Sequence, residues 1–394
     1  MKAVVLHAQW QPRDSYRPTP KDVPGRLTYL GSRVWRHPAV EVTDKPVPRP
    51  APTQVLLRVR ACGICGSDVH MAQADSDGYT LYPGLTAFPV VLGHEFSGEV
   101  VEAGPQAINR RTGARFEPGE PVCVEEMLWC GYCRPCADGF PNHCENLQEL
   151  GFTVDGAFAE YVAVDARYCW SLKELQAVYP RQDVFLVGSL MEPTSVSYNA
   201  IFERAGGIRP GDLAVVIGGG PIGLTAVALL KKAGAARVIL SEPSPVRAEV
   251  GRRLGADAVV DPTREDLAER VLALTDGWGA ELFVEAAGLA HLVMPQIERI
   301  LWEGRAINAK VVLIGRADVQ APLTGEVFQV RRAQLFGAQG HSGHGNFPRA
   351  IRLAASGMDL RPLITRRVRL EEVPDSIRQL QGNRTEAKVT AVLD

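Results

Sequence analysis

The stretch VVIGGGPIGL at 215–224 constrains the fold more than any other part of the chain. An apolar run stops at Gly218-x-Gly220-x-x-Gly223, and an Ala/Leu-rich segment opens at Pro221 and Ile222. Strand, tight turn and helix in that order make a phosphate cradle. The glycines permit the turn and the close approach of backbone to a pyrophosphate, and the helix N-terminus faces the phosphate charge. The next apolar run, RVILSEP, ends at Glu242, about 20 residues after the turn, where an acid accepts hydrogen bonds from ribose hydroxyls and repels a 2′-phosphate. The pattern predicts NAD rather than NADP, held at Gly218, Gly220, Pro221, Ile222, Gly223 and Glu242. Arg247 either reaches the adenine side or is a solvated helix residue.

From about residue 194 apolar runs alternate with helical segments (DLAVVIGGG, PIGLTAVALLKKAGA, RVILSEP, PVRAEVGRRLGA, ELFVEAAG, VVLIGRA), the texture of βαβ units around a parallel sheet. The first half is Pro-rich, with short β-like runs at 54–61, 95–104, 120–127 and 157–164, and predicts a largely β domain. The tail from about 337 returns to turns, one helix and strands, and is expected to rejoin that first domain. The expected class is α/β, with residues 1–193 and 337–394 forming one domain and 194–336 the other.

A net charge of −2 offers no basic field for a nucleic-acid backbone. No 18-residue apolar run predicts a membrane span. The opening MKAVVLHAQW does not read as a secretory signal, so a cytoplasmic address with reduced thiols is expected.

That expectation bears on CGYCRPCADGFPNHC, which places Cys130, Cys133, Cys136 and Cys144 in one Gly/Pro/Asn-rich loop. Two intervening residues let a turn aim successive sulfurs at one centre, and the more distant fourth closes a tetrahedron. Four thiolates suit a closed, structural zinc; an iron–sulfur cluster is the rival reading, and a redox pair would leave two thiols surplus. A second donor set is spread over CGICGSDVH at 62–70, GHEFSGEV at 93–100 and SLMEPTSV at 189–196: Cys65, His94, Glu95 and Glu192. A zinc with three protein ligands and an open or exchangeable position is a catalytic one.

In combination and order, GICGSD-x-H, GHE, the four-cysteine loop, GGGPIG and the Glu-Pro pair resemble the zinc-containing medium-chain dehydrogenase/reductase family, in its alcohol, sorbitol and threonine dehydrogenase group. The similarity runs over nearly the whole chain. It implies a GroES-like catalytic domain interrupted by a doubly wound Rossmann domain, with the active site in the cleft between them. The loop at about 125–148 would be the structural zinc lobe. Cys65, His94 and Glu192 would ligate the catalytic zinc, with Glu95 a carboxylate that exchanges with water there. Glu192 stands where the ethanol-type branch has cysteine, which points to the polyol and threonine branch. Ser67 would take the substrate proton, His70 would end the relay to solvent, and Asp68 would orient a metal-bound histidine.

The reaction so implied is hydride transfer from a secondary alcohol (polyol, sugar alcohol or cyclitol) to NAD, giving the ketone, in a homo-oligomer, tetramer or dimer. Threonine- or butanediol-type oxidation, oxidation of aldehydes or glutathione adducts, and a zinc-lobed binding protein without activity are the alternatives. The chain departs from the family at residues 8–37, at an enlarged 71–89 segment and at 341–347; these supply Tyr79, Tyr82, His341, Ser342 and His344 as potential partners for substrate hydroxyls.

Overall fold

The computed structural model describes residues 1–316, 319–341, 343, 345–383 and 385–394. The chain forms two compact units, one of Met1–Glu192, Arg366–Arg384 and Lys388–Asp394, the other of Pro193–Thr365 with Thr385–Ala387.

The first unit is built on a seven-stranded sheet whose centre is Gln54–Gly63, flanked by Glu95–Ala103 and by Lys388–Val392, both antiparallel to it. Alternation in QVLLRVRACG turns Val55, Leu57 and Val59 into one core with Phe96, Val100, Val122, Val162 and Val389. The expected run at 120–127 is two strands, Pro121–Val124 and Met127–Leu128, interrupted at Glu125 and Glu126. Met127–Leu128 pairs with Gln148–Glu149 and so closes the base of the four-cysteine loop.

The stretch that departs from the family pattern near the N-terminus is a built element. Lys2–Trp10 pairs antiparallel with Trp35–Asp44, and the Trp10 and Trp35 rings meet edge to face at 5.1 Å. Trp35 in turn packs on Phe88, at 5.0 Å. Arg13 reaches over the 71–89 segment: it pairs with Asp75 and Asp77, and its guanidinium lies 3.9 Å from the centre of the Tyr79 ring. Arg36 adds a hydrogen bond to the Asp77 carbonyl at 2.8 Å. The two insertions therefore form one strapped layer.

The second unit holds six parallel strands in the order Ala258–Val260, Arg237–Ser241, Leu213–Ile217, Leu282–Glu285, Lys310–Leu313, Gln334–Gly337. In chain order this is 3-2-1-4-5-6, the doubly wound arrangement whose direction reverses beside the first strand. Runs such as LAVVI, and LFV before Glu285, are apolar on both sides because helices cover both faces of a parallel sheet.

The unit extends further than the expected 194–336. Gln334–Gly337 is the sixth strand of its sheet, and Asn346–Ala355 is a helix burying Phe347, Ala350, Ile351 and Ala354. Asn199 donates to the Gly340 carbonyl at 2.8 Å and Lys232 to that of Ser356 at 2.7 Å, so 337–365 stays with the second unit. The chain rejoins the first unit only at Arg366. The apolar period of the 346–355 helix was the signal that a partner sheet was near, but not which one.

Arg13 makes charge-assisted hydrogen bonds and a stacked contact from a largely covered position. Arg13→Ala is expected to destabilise the protein by about 1–3 kcal/mol in urea unfolding and to open residues 8–37 to limited proteolysis. An unchanged midpoint and cleavage pattern would mean that the strap contributes nothing.

Candidate active site and metal centres

In the four-cysteine loop the ligand atoms of Cys130, Cys133, Cys136 and Cys144 all lie within 4.8 Å of one another. Cys133 Sγ and Cys144 Sγ are 3.8 Å apart. With metal–sulfur bonds of about 2.3 Å, a zinc tetrahedron has sulfur–sulfur edges of about 3.8 Å, so the spacing fits that ion. Backbone N–H groups of Cys130 and Asn146 donate to Cys144 Sγ at 3.3 Å, and Glu145 N–H donates to Cys133 Sγ at 3.4 Å. At Cys144 these donors oppose, without cancelling, the burial that pushes its thiol up. Burial opposes ionisation of Cys130, yet N–H donors from Tyr132, Asn146 and Cys133 bring its thiol down to about 6.

A polar brace surrounds the lobe: Glu125 accepts from the Trp170 indole at 2.6 Å and from the Trp129 indole at 3.3 Å, and Tyr168 donates to the Trp129 carbonyl at 2.6 Å.

The second donor set is assembled by the central sheet. Cys65 caps the short helix Gly66–Ala72, where Asp68 accepts the Cys65 N–H at 2.8 Å. His94 and Glu95 come from the start of the neighbouring strand, and the ligand atoms of Cys65, His94 and Glu95 fall within 4.8 Å of one another. Asp68 Oδ1 sits 3.6 Å from His94 Nδ1, which turns Nε2 toward the shared centre. Burial works against charge on His94, but Asp68 and Cys65 outweigh it and raise its pKa well above the ordinary value. Ser67 Oγ is 3.4 Å from His94 Nε2. His70, on the same helix, is half-buried, and its carbonyl accepts from Leu81 and Tyr82 N–H groups at 3.1 Å.

Glu192 is 6% exposed. Burial, then the neighbouring charges of Glu126 and Glu95, push its carboxyl well up. It stands beside the Cys65, His94 and Glu95 donors without belonging to that tight trio.

Sequence reasoning missed two residues here. Glu126 is a further buried carboxylate whose charge Glu192 feels. Lys388 is fully buried; its Nζ pairs with Glu95 Oε2 and donates to the Ile64 carbonyl at 3.0 Å. The two ends meet across the central strand because Gly63 lies between them: a Cβ there would come within 2.4 Å of Glu95 Oε2 and 3.2 Å of Lys388 Cδ. The signal available in the sequence was a lone Lys opening the otherwise uncharged final run KVTAV.

Of the suggested hydroxyl partners, Tyr79 is 8% exposed and held beneath Arg13 and Arg36, so its ring is committed to packing. Tyr82 packs on Phe152 at 5.3 Å, and Phe152 on His94 at 4.7 Å. His341 is buried edge to face against Phe347 at 5.0 Å. Ser342 and His344 lie outside the described residues.

In the second unit, Gly220 caps the helix Pro221–Lys232, so that Gly218, Gly220, Pro221, Ile222 and Gly223 form a turn at a helix N-terminus. Gly223 packs so closely that a Cβ would meet the Gly218 carbonyl at 1.8 Å. Glu242 accepts the Gly219 N–H at 2.6 Å and the Ser244 N–H at 2.7 Å, which sets its carboxylate against the turn. Arg247 donates from Nε to the Glu386 carbonyl at 3.0 Å.

A dinucleotide turn on one unit and a buried S, N and O donor set on the other define a metal-dependent dehydrogenase. Comparison with known proteins agrees: the alcohol dehydrogenase GroES-like domain matches residues 51–174, and the zinc-binding dehydrogenase domain matches 221–356. The chain belongs to this family of zinc-binding alcohol dehydrogenases, enzymes acting on CH–OH donors with zinc and a nicotinamide dinucleotide.

Among its relatives, the scyllo-inosose 3-dehydrogenase of Thermotoga maritima is 64% identical over 391 residues, 99% of each chain. An L-threonine 3-dehydrogenase of Pyrococcus horikoshii is 34% identical over 265 residues, 67% of this chain and 70% of that one. A solved Thermotoga maritima structure superposes with a TM-score of 0.98 at 64% identity, over 100% of both chains.

Removing one member of a buried ion pair leaves the other charge stranded. Lys388→Met is expected to cost about 3–5 kcal/mol in urea unfolding, and adding Glu95→Gln should restore most of that. A double variant no more stable than Lys388→Met would show that the pairing with Glu95 is not what Lys388 supplies.

Proposed function

We propose that this protein oxidises a ring hydroxyl of a cyclitol, scyllo-inosose foremost, to the ketone with NAD, through a zinc held by Cys65 and His94 with the carboxylates Glu95 and Glu192. The observation that carries this reading is the density of buried acids around the donor set, Glu95, Glu192 and Glu126. Carboxylates accept hydrogen bonds from hydroxyls beside the reacting one, which a simple alcohol lacks. The 64% identity with a scyllo-inosose 3-dehydrogenase over 99% of both chains supports the cyclitol in particular. Oxidation of threonine is the second reading, favoured by the more distant relatives.

When bound, the zinc supplies Lewis-acid polarisation of the alcohol oxygen, and NAD takes the hydride. Ser67, 3.4 Å from His94 Nε2, accepts the hydroxyl proton and must pass it on, since a serine does not stay ionised near neutral pH; His70 hands it to solvent. Asp68, with Oδ1 3.6 Å from His94 Nδ1, places a negative charge on the side of the ring away from Nε2. Gly218, Gly220, Pro221, Ile222 and Gly223 cradle the pyrophosphate. Glu242, already poised against Gly219, takes the ribose hydroxyls and disfavours NADP, while Arg247 borders the adenine side.

Cys130, Cys133, Cys136 and Cys144 hold a second, structural zinc. A cytoplasmic address is supported by the gathering of Cys130, Cys133, Cys136 and Cys144 at metal-ligand spacing, which suits reduced thiols. Assembly as a homo-oligomer, dimer or tetramer, belongs to the same reading. Among the described residues no helix is long and apolar enough to cross a membrane.

Steady-state kcat/KM over scyllo-inosose, myo-inositol, sorbitol, L-threonine, 2,3-butanediol and ethanol, each with NAD and NADP, tests the reading. Cyclitols with NAD should lead, and ethanol should trail by at least tenfold, because each buried polar group left unpaired costs about 1–3 kcal/mol. A preference for ethanol, for threonine or for NADP would overturn the corresponding part.

The two metal assignments separate by mutation. Cys65→Ser is expected to abolish turnover in a folded protein that retains one zinc, whereas Cys130→Ser lowers the thermal midpoint and leaves the residual folded fraction active. Metal content and melting curves check both, and the reverse pattern would exchange the two roles.

A further inference from the structure

The parallel sheet contains a buried acid with no part in the chemistry above. Glu285 ends the strand Leu282–Glu285, is 0% exposed, and comes from the strand on the far side of the glycine turn from Glu242. Its Oε1 accepts two backbone N–H groups of the following loop, Ala287 at 3.0 Å and Leu289 at 3.1 Å. Its own carbonyl accepts the N–H groups of Ile314 at 2.9 Å and Gly315 at 3.0 Å, from the end of the next strand. One residue thus ties two loops at the carboxyl edge of the sheet.

Those loops are packed backbone to backbone. A Cβ on Gly315 would meet Gly288 N at 2.2 Å and Glu285 Oε2 at 2.8 Å; one on Gly288 would meet the Arg316 carbonyl at 2.8 Å. The same loop touches the phosphate turn, since a Cβ on Gly218 would lie 2.8 Å from Ala287 N. Glu285 Oε2 lies on the side of the Gly288 and Gly315 N–H groups, without a hydrogen bond of ordinary geometry to either. Burial pushes the carboxyl up, and the N–H groups of Leu289, Ala287, Gly288 and Gly315 oppose that rise.

A dinucleotide laid across a doubly wound sheet has its pyrophosphate at the first strand and its two nucleoside halves on opposite sides of it. Glu242 ends the strand on one side and marks the adenosine half; the loops after Glu285 and Leu313 edge the other. Resting on the cofactor reading above, we infer that Glu285 is a positioning residue for the nicotinamide half of the site. It fixes the 286–289 and 314–316 backbone against which that half lies, without touching the reacting atoms.

Glu285→Gln tests this. The amide keeps the shape and one acceptor oxygen, but it puts an N–H₂ beside the backbone N–H groups of Gly288 and Gly315, or beside those of Ala287 and Leu289. Dissociation constants of wild type and variant are measured for NADH by fluorescence and for ADP-ribose by calorimetry, with the thermal midpoint recorded alongside. NADH is expected to bind about tenfold more weakly to the variant, with ADP-ribose unchanged within about twofold. Glu285→Ala, which removes both acceptors, should show the same selective loss if Glu285→Gln is too poorly folded to measure. Equal weakening of both ligands, or none, would overturn the role of Glu285, the former making it a general brace. Wild type that bound neither ligand would instead overturn the cofactor reading on which the inference rests.

Discussion

Buried negative charge around Cys65, His94, Glu95 and Glu192 is the constraint that the first unit is organised to satisfy. Carboxylates are costly to desolvate, and here several share one small region. The sheet answers with Lys388, delivered by the last strand across Gly63, and with the His94–Asp68 pair on the other side. The ligand atoms of Cys65, His94 and Glu95 are left within 4.8 Å of one another, a mixed S, N and O set whose chemistry suits a divalent cation. Register matters for this reason. Gly63 pairs with Glu95 and with Thr390, two residues beyond Lys388, so a one-residue slip in either neighbour would turn an acid or the lysine to the opposite face.

The segments that depart from the family pattern bear on that centre indirectly. The 71–89 segment leaves the C-terminal end of the helix that starts at Cys65, and the His70 carbonyl accepts from Leu81 and Tyr82. Arg13 and Arg36 then clamp the segment from the N-terminal strands. Tyr82, Phe152 and His94 form a continuous ring contact, so the position of the strap is transmitted to the edge of the donor set. Tyr79, equally aromatic and only three residues away, is turned into the clamp. Composition could not distinguish the two tyrosines; the cations that cover one of them come from far earlier in the chain.

The second unit shows the same logic with backbone in place of charge. Gly218, Gly223, Gly288 and Gly315 let loops from separate strands approach to distances no side chain would tolerate. Glu285 and Glu242 then pin those loops with carboxylate-to-amide hydrogen bonds. The boundary misjudged at 337 has a related origin. The helix Asn346–Ala355 has an apolar face that either unit could bury, and only contacts such as Asn199 with the Gly340 carbonyl and Lys232 with that of Ser356 assign it to the second.

Local sequence by itself determined the parts whose chemistry is written in adjacent residues: the glycine turn with Glu242, the four-thiol loop, and the Cys65-Gly-Ser67-Asp68 helix start. Turn geometry, metal spacing and helix capping act over a few residues, so pattern is enough. Tertiary structure alone decided which acids gather around His94, that Lys388 from the far end of the chain neutralises one of them, that Tyr79 is spent on Arg13, and that 337–365 belongs to the second unit. Each of these depends on strand register and on contacts between distant segments. Those are settled by the burial of whole faces, which no short stretch of sequence contains.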